Sequence, residues 1–229
     1  MKANGKTGVV LMAAAALFFT SCGGGGSNIN PDSKMSEVAG EITGMKTYMI
    51  EYKSTLNSPE IKSVTKTVQW VDTENDRYAF FSESESDYMG EKQTDNSLMI
   101  MKDGYSYIIN LKDKTGFKSK DGDLEDDPTD DVMPEDDVTF RQMIEADGGK
   151  IIGNEKFLER DCIVVEINQT DDNEDPLPTK IWYYKGIMLK MQNSFTTMEA
   201  VRFEENAVIP AEKFEVPSGI QLMEMPVMS

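Results

Sequence analysis

Along most of the chain apolar and polar residues alternate with a period of two, the spacing of a half-buried β-strand. Tyr48, Ile50 and Tyr52 interleave with Met49, Glu51 and Lys53, and Val64, Val68 and Trp70 share one parity against Thr65, Thr67 and Gln69. Residues 77–82, 98–102 and 105–111 continue the pattern, and Asp103-Gly104 between the last two is a two-residue hairpin signal. The rhythm resumes over residues 150–158, 162–168, 179–184, 187–192 and 198–203, with Lys185-Gly186 as a second tight turn. These segments predict a mainly β (α+β) fold. Its expected form is a curved, partly closed antiparallel sheet of about ten strands, with one or two short helices on the concave face.

One helix stands out in the middle of the chain, with a weaker candidate near its start. Phe140, Met143 and Ile144 follow helical spacing, Thr139 with Gln142 fits a capping box, and Asp147-Gly148-Gly149 stops the segment. A helix of about two turns cannot persist alone, so its apolar face must dock on the sheet. Residues 33–45 hold a weaker helix with Val38, Ala39 and Ile42 as its face, interrupted by Gly40 and Gly44.

The start of the chain obeys different rules. Lys2 and Lys6 precede an uninterrupted apolar run over residues 9–19, too short to span a ~30 Å hydrocarbon core as a helix and suited to a signal-peptide core. Thr20 and Ser21 then lead to Cys22. The segment resembles a lipobox, where a lipoprotein signal peptidase cuts before a cysteine that carries diacylglycerol. Ser21 fits that pattern; Phe19 and Thr20 depart from it. The alternative is an ordinary secretory signal with an incidental cysteine, or an uncleaved anchor. Gly23-Gly24-Gly25-Gly26-Ser27 supplies the flexible tether that a lipid-anchored domain needs. The expected division is a leader over 1–21, lipidated Cys22 with its tether over 22–33, and one β-rich domain over 34–229.

This start is similar to lipoproteins of the Bacteroides group. There an acidic run directly after the cysteine resembles a surface-export signal; none precedes Asp32. An outer-membrane, lipid-anchored position facing the periplasm is therefore expected over the cell surface.

Charge narrows the partners. Losing Lys2 and Lys6 with the leader takes the formal charge from −18 to −20. Such acidity opposes binding to nucleic acid or bare anionic membrane, so membrane attachment falls to the lipid. The chain has no His, which removes most zinc sites and His-based nucleophilic catalysis. No Gly-rich phosphate loop follows a strand. The expectation is a non-enzyme with no cofactor beyond the acyl groups on Cys22, and no catalytic or metal residues.

Residues 121–137 hold ten carboxylates in 17 positions, broken by Pro128 and Pro134. EF-hand spacing is not met, so a solvated, self-repelling loop is expected rather than a calcium site, and residues 171–175 read likewise. Cys162, within Asp161-Cys162-Ile163-Val164-Val165, reads as a buried strand thiol.

Methionine and aromatic residues crowd the strands. Tyr48, Trp70, Phe80, Met99, Met101, Trp182 and Met191 are the residues expected to line an apolar cavity for a lipid or other hydrophobic ligand, Met being the filler that adapts to varied shapes. The alternative for them is an ordinary sheet core closed by helices.

Three segments carry a family resemblance. Lys150-Ile151-Ile152-Gly153-Asn154-Glu155 through Cys162, Ile181-Trp182-Tyr183-Tyr184-Lys185-Gly186-Ile187-Met188-Leu189, and Ile209-Pro210 with Phe214-Glu215-Val216-Pro217 resemble a domain of unknown function in small bacterial exported proteins. That domain is similar in architecture to the outer-membrane lipoprotein carrier and receptor proteins (LolA and LolB). The resemblance implies an unclosed antiparallel barrel capped by helices around an apolar cavity. The carrier's acyl-accepting loop and its characteristic arginine match no position here. The function expected is a lipid-anchored, non-enzymatic envelope protein that binds an apolar ligand. The alternative is a structural or protein-interaction lipoprotein whose acidic loops face a partner.

Overall fold

The computed structural model describes residues 30–120, 138–170 and 176–224. Cys22 with its leader and tether, the acidic run 121–137 and residues 171–175 lie outside the described residues.

Twelve strands form one curved, unclosed sheet in the order β12-β6-β5-β4-β3-β2-β1-β11-β10-β9-β8-β7. The strands are β1 (Thr47–Asn57), β2 (Ile61–Asp72), β3 (Arg77–Tyr88), β4 (Glu91–Lys102), β5 (Tyr105–Asn110), β6 (Thr115–Lys120), β7 (Gly149–Phe157), β8 (Arg160–Thr170), β9 (Pro176–Tyr184), β10 (Ile187–Gln192), β11 (Thr196–Glu205) and β12 (Gln221–Glu224). All neighbours are antiparallel except β12, which lies parallel to β6. The mainly β reading holds. Ten strands were legible from alternation; β6 and β12 are short, and the tertiary fold supplies their partners.

Bulges bend the sheet at Glu51/Tyr52, Ile151/Gly153 and Met188/Lys190, each inserting a residue that kinks its strand and steepens the local twist. Tight turns set the hairpin registers. Asp103 and Gly104 both take positive φ (54° and 73°), as do Lys185 and Gly186 (49° and 80°), the geometry whose twist matches the flanking strands.

The helices pack at the β7–β9 end. In α2 (Phe140–Ala146) the Thr139 side chain accepts from the Gln142 amide while the Gln142 side chain accepts from the Thr139 amide. Phe140 and Ile144 then bury against Ile163 and Val165, and the Phe140 ring meets Tyr183 edge-on at 5.4 Å. Helix α1 (Met35–Gly44) adds Met35 and Val38 to that cluster and sends Ile42 toward a second one. It crosses the β9–β10 turn so closely that a Cβ on Gly186 would lie 2.7 Å from Val38 Cγ1.

Strand β8 is buried on both sides: Ile163 and Val165 join the helix cluster, while Cys162 and Val164 join Trp182, Leu189, Ile50 and Tyr52. That is why residues 162–165 read as an unbroken apolar run. A third cluster holds Ala79, Leu98, Ile100, Ile109 and Phe214. Phe214 closes the 3₁₀ turn Ala211–Phe214, in a strap that leaves β11 and crosses to the opposite edge, where β12 adds beside β6.

Candidate functional site

Register sorts the side chains of β1–β6 onto two faces. On one face the cross-strand row Met49, Trp70, Ala79, Ile100, Tyr107 lies beside the row Glu51, Val68, Phe81, Leu98, Ile109. Ala79, Ile100 and Ile109 are fully buried there beneath the strap. The opposite face carries the row Phe80, Met99, Ile108, Phe117, Met223, which runs over β3, β4, β5, β6 and β12. Beside it runs Tyr48, Val71, Tyr78, Met101, Ser106.

Ile50, in the Phe80 row on β1, is fully buried, but that row from β3 to β12 is not packed like the first face. Ile108 is 45% exposed, Phe117 44% and Met223 51%, and none of the three buried clusters contains a member of that stretch. With strands about 4.8 Å apart, five in-register apolar side chains make a stripe of about 19 Å. Contiguous exposed apolar surface of this kind marks an interaction site more often than scattered single residues do.

One end of the face is lined by tyrosines. Burial raises the Tyr48 hydroxyl to about 12 and also drives those of Tyr52 and Tyr78 upward, with mutual repulsion of the ionised rings adding to the shift in the last two. Tyr52 donates to the Met188 carbonyl at 2.6 Å, bridging from β1 to β10. Beyond them a network closes the sheet end: Glu205 accepts from Tyr184 (3.2 Å) and Lys185 (2.9 Å), and the Arg160 guanidinium lies 5.4 Å from both the Tyr184 and Phe203 ring centroids.

The seven residues expected to line a cavity are thus divided. Tyr48, Phe80, Met99 and Met101 share the less covered face. Trp70 is on the other, packed in the strap cluster with the Lys213 ammonium 5.0 Å from its ring. Trp182 belongs to the same buried cluster as Tyr48; its indole N–H donates to Glu155 at 2.9 Å and Lys190 stacks on its ring at 4.9 Å. A groove of about 390 Å³ opens beside it, lined by Glu166, Pro178, Lys180, Gln192 and Asn193. Met191 pairs with Ile181 on β9 and Met198 on β11.

Ile108, Phe117 and Met223 were missed. For Ile108 the signal was present, because a two-residue turn at Asp103-Gly104 sets Met99 opposite Ile108. Phe117 and Met223 sit in the two strands that alternation did not reveal.

Cys162 is fully buried, and burial pushes its thiol up to about 11. Among the described residues no three His, Cys, Asp or Glu side chains converge as metal ligands, and no helix is long and apolar enough to cross a membrane.

No family model and no curated protein matches this chain. Solved structures do. An uncharacterized conserved protein from Thermus thermophilus superposes with a TM-score of 0.44 at 6% identity, over 79% of this chain and 91% of that one. The MucA/MucB complex of Pseudomonas aeruginosa gives 0.40 at 11%, over 77% of this chain and 58% of the matched one. A putative outer membrane lipoprotein-sorting protein domain from Vibrio parahaemolyticus gives 0.23 at 14%, over 75% and 90%.

Proposed function

We propose that this chain is a lipid-anchored, non-enzymatic envelope protein that binds a lipid or other apolar ligand on the sheet face bearing Tyr48, Phe80, Met99 and Met101. The observation that carries the reading is the stripe Phe80, Met99, Ile108, Phe117, Met223, held in register across five strands yet left half-exposed at Ile108, Phe117 and Met223. A folded domain gains about 25 cal/mol per Å² by removing such surface from water, so an apolar chain laid along it is favoured without any directional chemistry. Two of the five are Met, whose unbranched side chains repack around varied shapes. The anchor is diacylglycerol on Cys22, and the position is the outer membrane, periplasmic side. Support for that is the apolar run over residues 9–19, Ser21-Cys22 and the following glycines.

Native mass spectrometry and lipid extraction of the chain produced without residues 1–22 test the binding. A co-purifying lipid or apolar adduct is expected, and Met99→Lys with Ile108→Lys should reduce its occupancy at least tenfold without unfolding the sheet. A ligand-free protein, or an adduct indifferent to both substitutions, would sink the reading. Metabolic labelling with a fatty acid tests the anchor: label retained in Cys22→Ser would exclude it.

A further inference from the structure

The sheet is notched beside β4. Strand β3 pairs with β4 along its whole length, from Tyr78↔Met101 to Tyr88↔Glu91, but β5 covers only Ser97 to Lys102, and one further bond, from the Leu111 amide to the Asn96 carbonyl, ends the contact. Among the described residues, positions 91–95 therefore have a strand on one side only. Their outward amides and carbonyls form a template about five residues long, end to end with β5.

The notch has walls and a charge. A cleft of about 410 Å³ lies over it, lined by Glu83, Glu85, Thr94, Asp95, Leu111 and Lys112 among others. Asn96 lines it too, and its carboxamide oxygen is buried with no hydrogen-bond partner among the described residues. Lys66, the register partner of Glu83, is drawn to Glu51 at 2.9 Å, so it does not neutralise the cleft. Among the described residues three carboxylates, Glu83 and Glu85 on one face of the sheet and Asp95 on the other, thus flank the notch against Lys92 and Lys112. At the far end Tyr88 and Met89 are 47% and 71% exposed.

We infer that the free edge of β4 is a docking edge for an extended basic peptide of a partner protein, which adds as a strand beside residues 91–95. Backbone pairing supplies the register, as in other β-strand additions. Opposite charge selects the partner, and the Asn96 oxygen takes a donor from it. A second copy of this chain is disfavoured, because the edge is acidic and the chain carries −18. Glu91, Lys92 and Asp95 keep the edge from pairing indiscriminately, which is how natural sheets guard such strands. The site is separate from the apolar stripe, and lipid binding can fail without affecting it.

The probe is the octapeptide (Lys-Thr)₄, added to the full chain in mild detergent and followed by hydrogen exchange and fluorescence anisotropy. The amides of Lys92 and Thr94, which point to the same side as the Asn96 carbonyl, are expected to gain at least tenfold protection, and the fully N-methylated peptide, which keeps the charge and loses the donors, should bind at least tenfold more weakly. Gln93→Pro and Thr94→Pro divide the question, because successive residues direct their N–H groups to opposite sides of a strand. One variant removes an outward donor, keeps the fold by circular dichroism and loses the peptide. Equal binding of the N-methylated peptide, protection elsewhere on the chain, or a dimer formed through this edge without peptide would each overturn the inference.

Discussion

The Arg77 guanidinium sits 4.7 Å from the centroid of the Phe214 ring and at the same time ion-pairs with Asp72. Far apart in the chain, Arg77 and Phe214 join the start of β3 to the strap. The strap is further held by Lys102, which donates to Glu215 at 2.6 Å. Phe214 is fully buried between Leu98, Ile100 and Ile109, so the strap acts as the lid of one face and leaves the other to the apolar stripe.

Removing that ring should open a cavity that the surrounding strands cannot close. Phe214→Ala is expected to cost about 3–5 kcal/mol, the range for large aromatic truncations in cores. Urea denaturation of the two proteins measures it. A loss below about 1 kcal/mol, well under that range, would mean that the strap does not seal the face.

Asp72 gives the acid limb. Burial acts to raise its carboxyl, but hydrogen bonds from Arg77 and Asn75 together outweigh burial and hold it below the ordinary 3.8. The folded state then binds fewer protons than the unfolded one, so this contribution is complete above the unfolded value and is lost as pH falls toward the folded one. Asp72→Asn should be less stable at neutral pH and show a flatter acid limb in thermal melts taken from about pH 5 downward. A limb of unchanged slope would exclude Asp72 as its source.

Tyr48 acts at the other extreme. Its hydroxyl is raised from 10.0 to about 12 by burial, so between those two values the unfolded chain ionises first and stability declines with rising pH. Tyr48→Phe should reduce that decline while leaving neutral-pH stability nearly unchanged. Chemical denaturation midpoints at about pH 8 and about pH 11, below and within that window, decide it.

Gly186→Ala tests the seat of α1. The position takes φ +80°, and the added Cβ would meet Val38 Cγ1 at 2.7 Å and Ile42 Cδ1 at 3.0 Å. Backbone strain alone costs about 1–3 kcal/mol, and the contact adds to it by lifting the helix. Faster hydrogen exchange in α1 than in the β9–β10 hairpin is the expected signature; uniform acceleration would point to a general loss of stability.

Thr139 and Gln142 announced α2 and its cap, because a helix start is written within four residues. Asp103-Gly104 and Lys185-Gly186 announced their hairpins for the same local reason. Trp70 and Phe80 looked equivalent as aromatic strand residues, yet they lie on opposite faces, since the face is fixed by the parity that hairpin register carries from β2 to β3. Strand β12 is four residues with no apolar alternation of its own; it exists because the strap delivers it beside β6.

The chain by itself determined its strand rhythm, its turns, its acidity and the absence of histidine chemistry, since each depends on a residue and its near neighbours. Which face is sealed and which stays half-open was decided by the tertiary structure alone. That choice depends on distant contacts made by a strap that lays Phe214 across β3 and β4, and long-range burial of this kind leaves no periodic trace in the residues it covers.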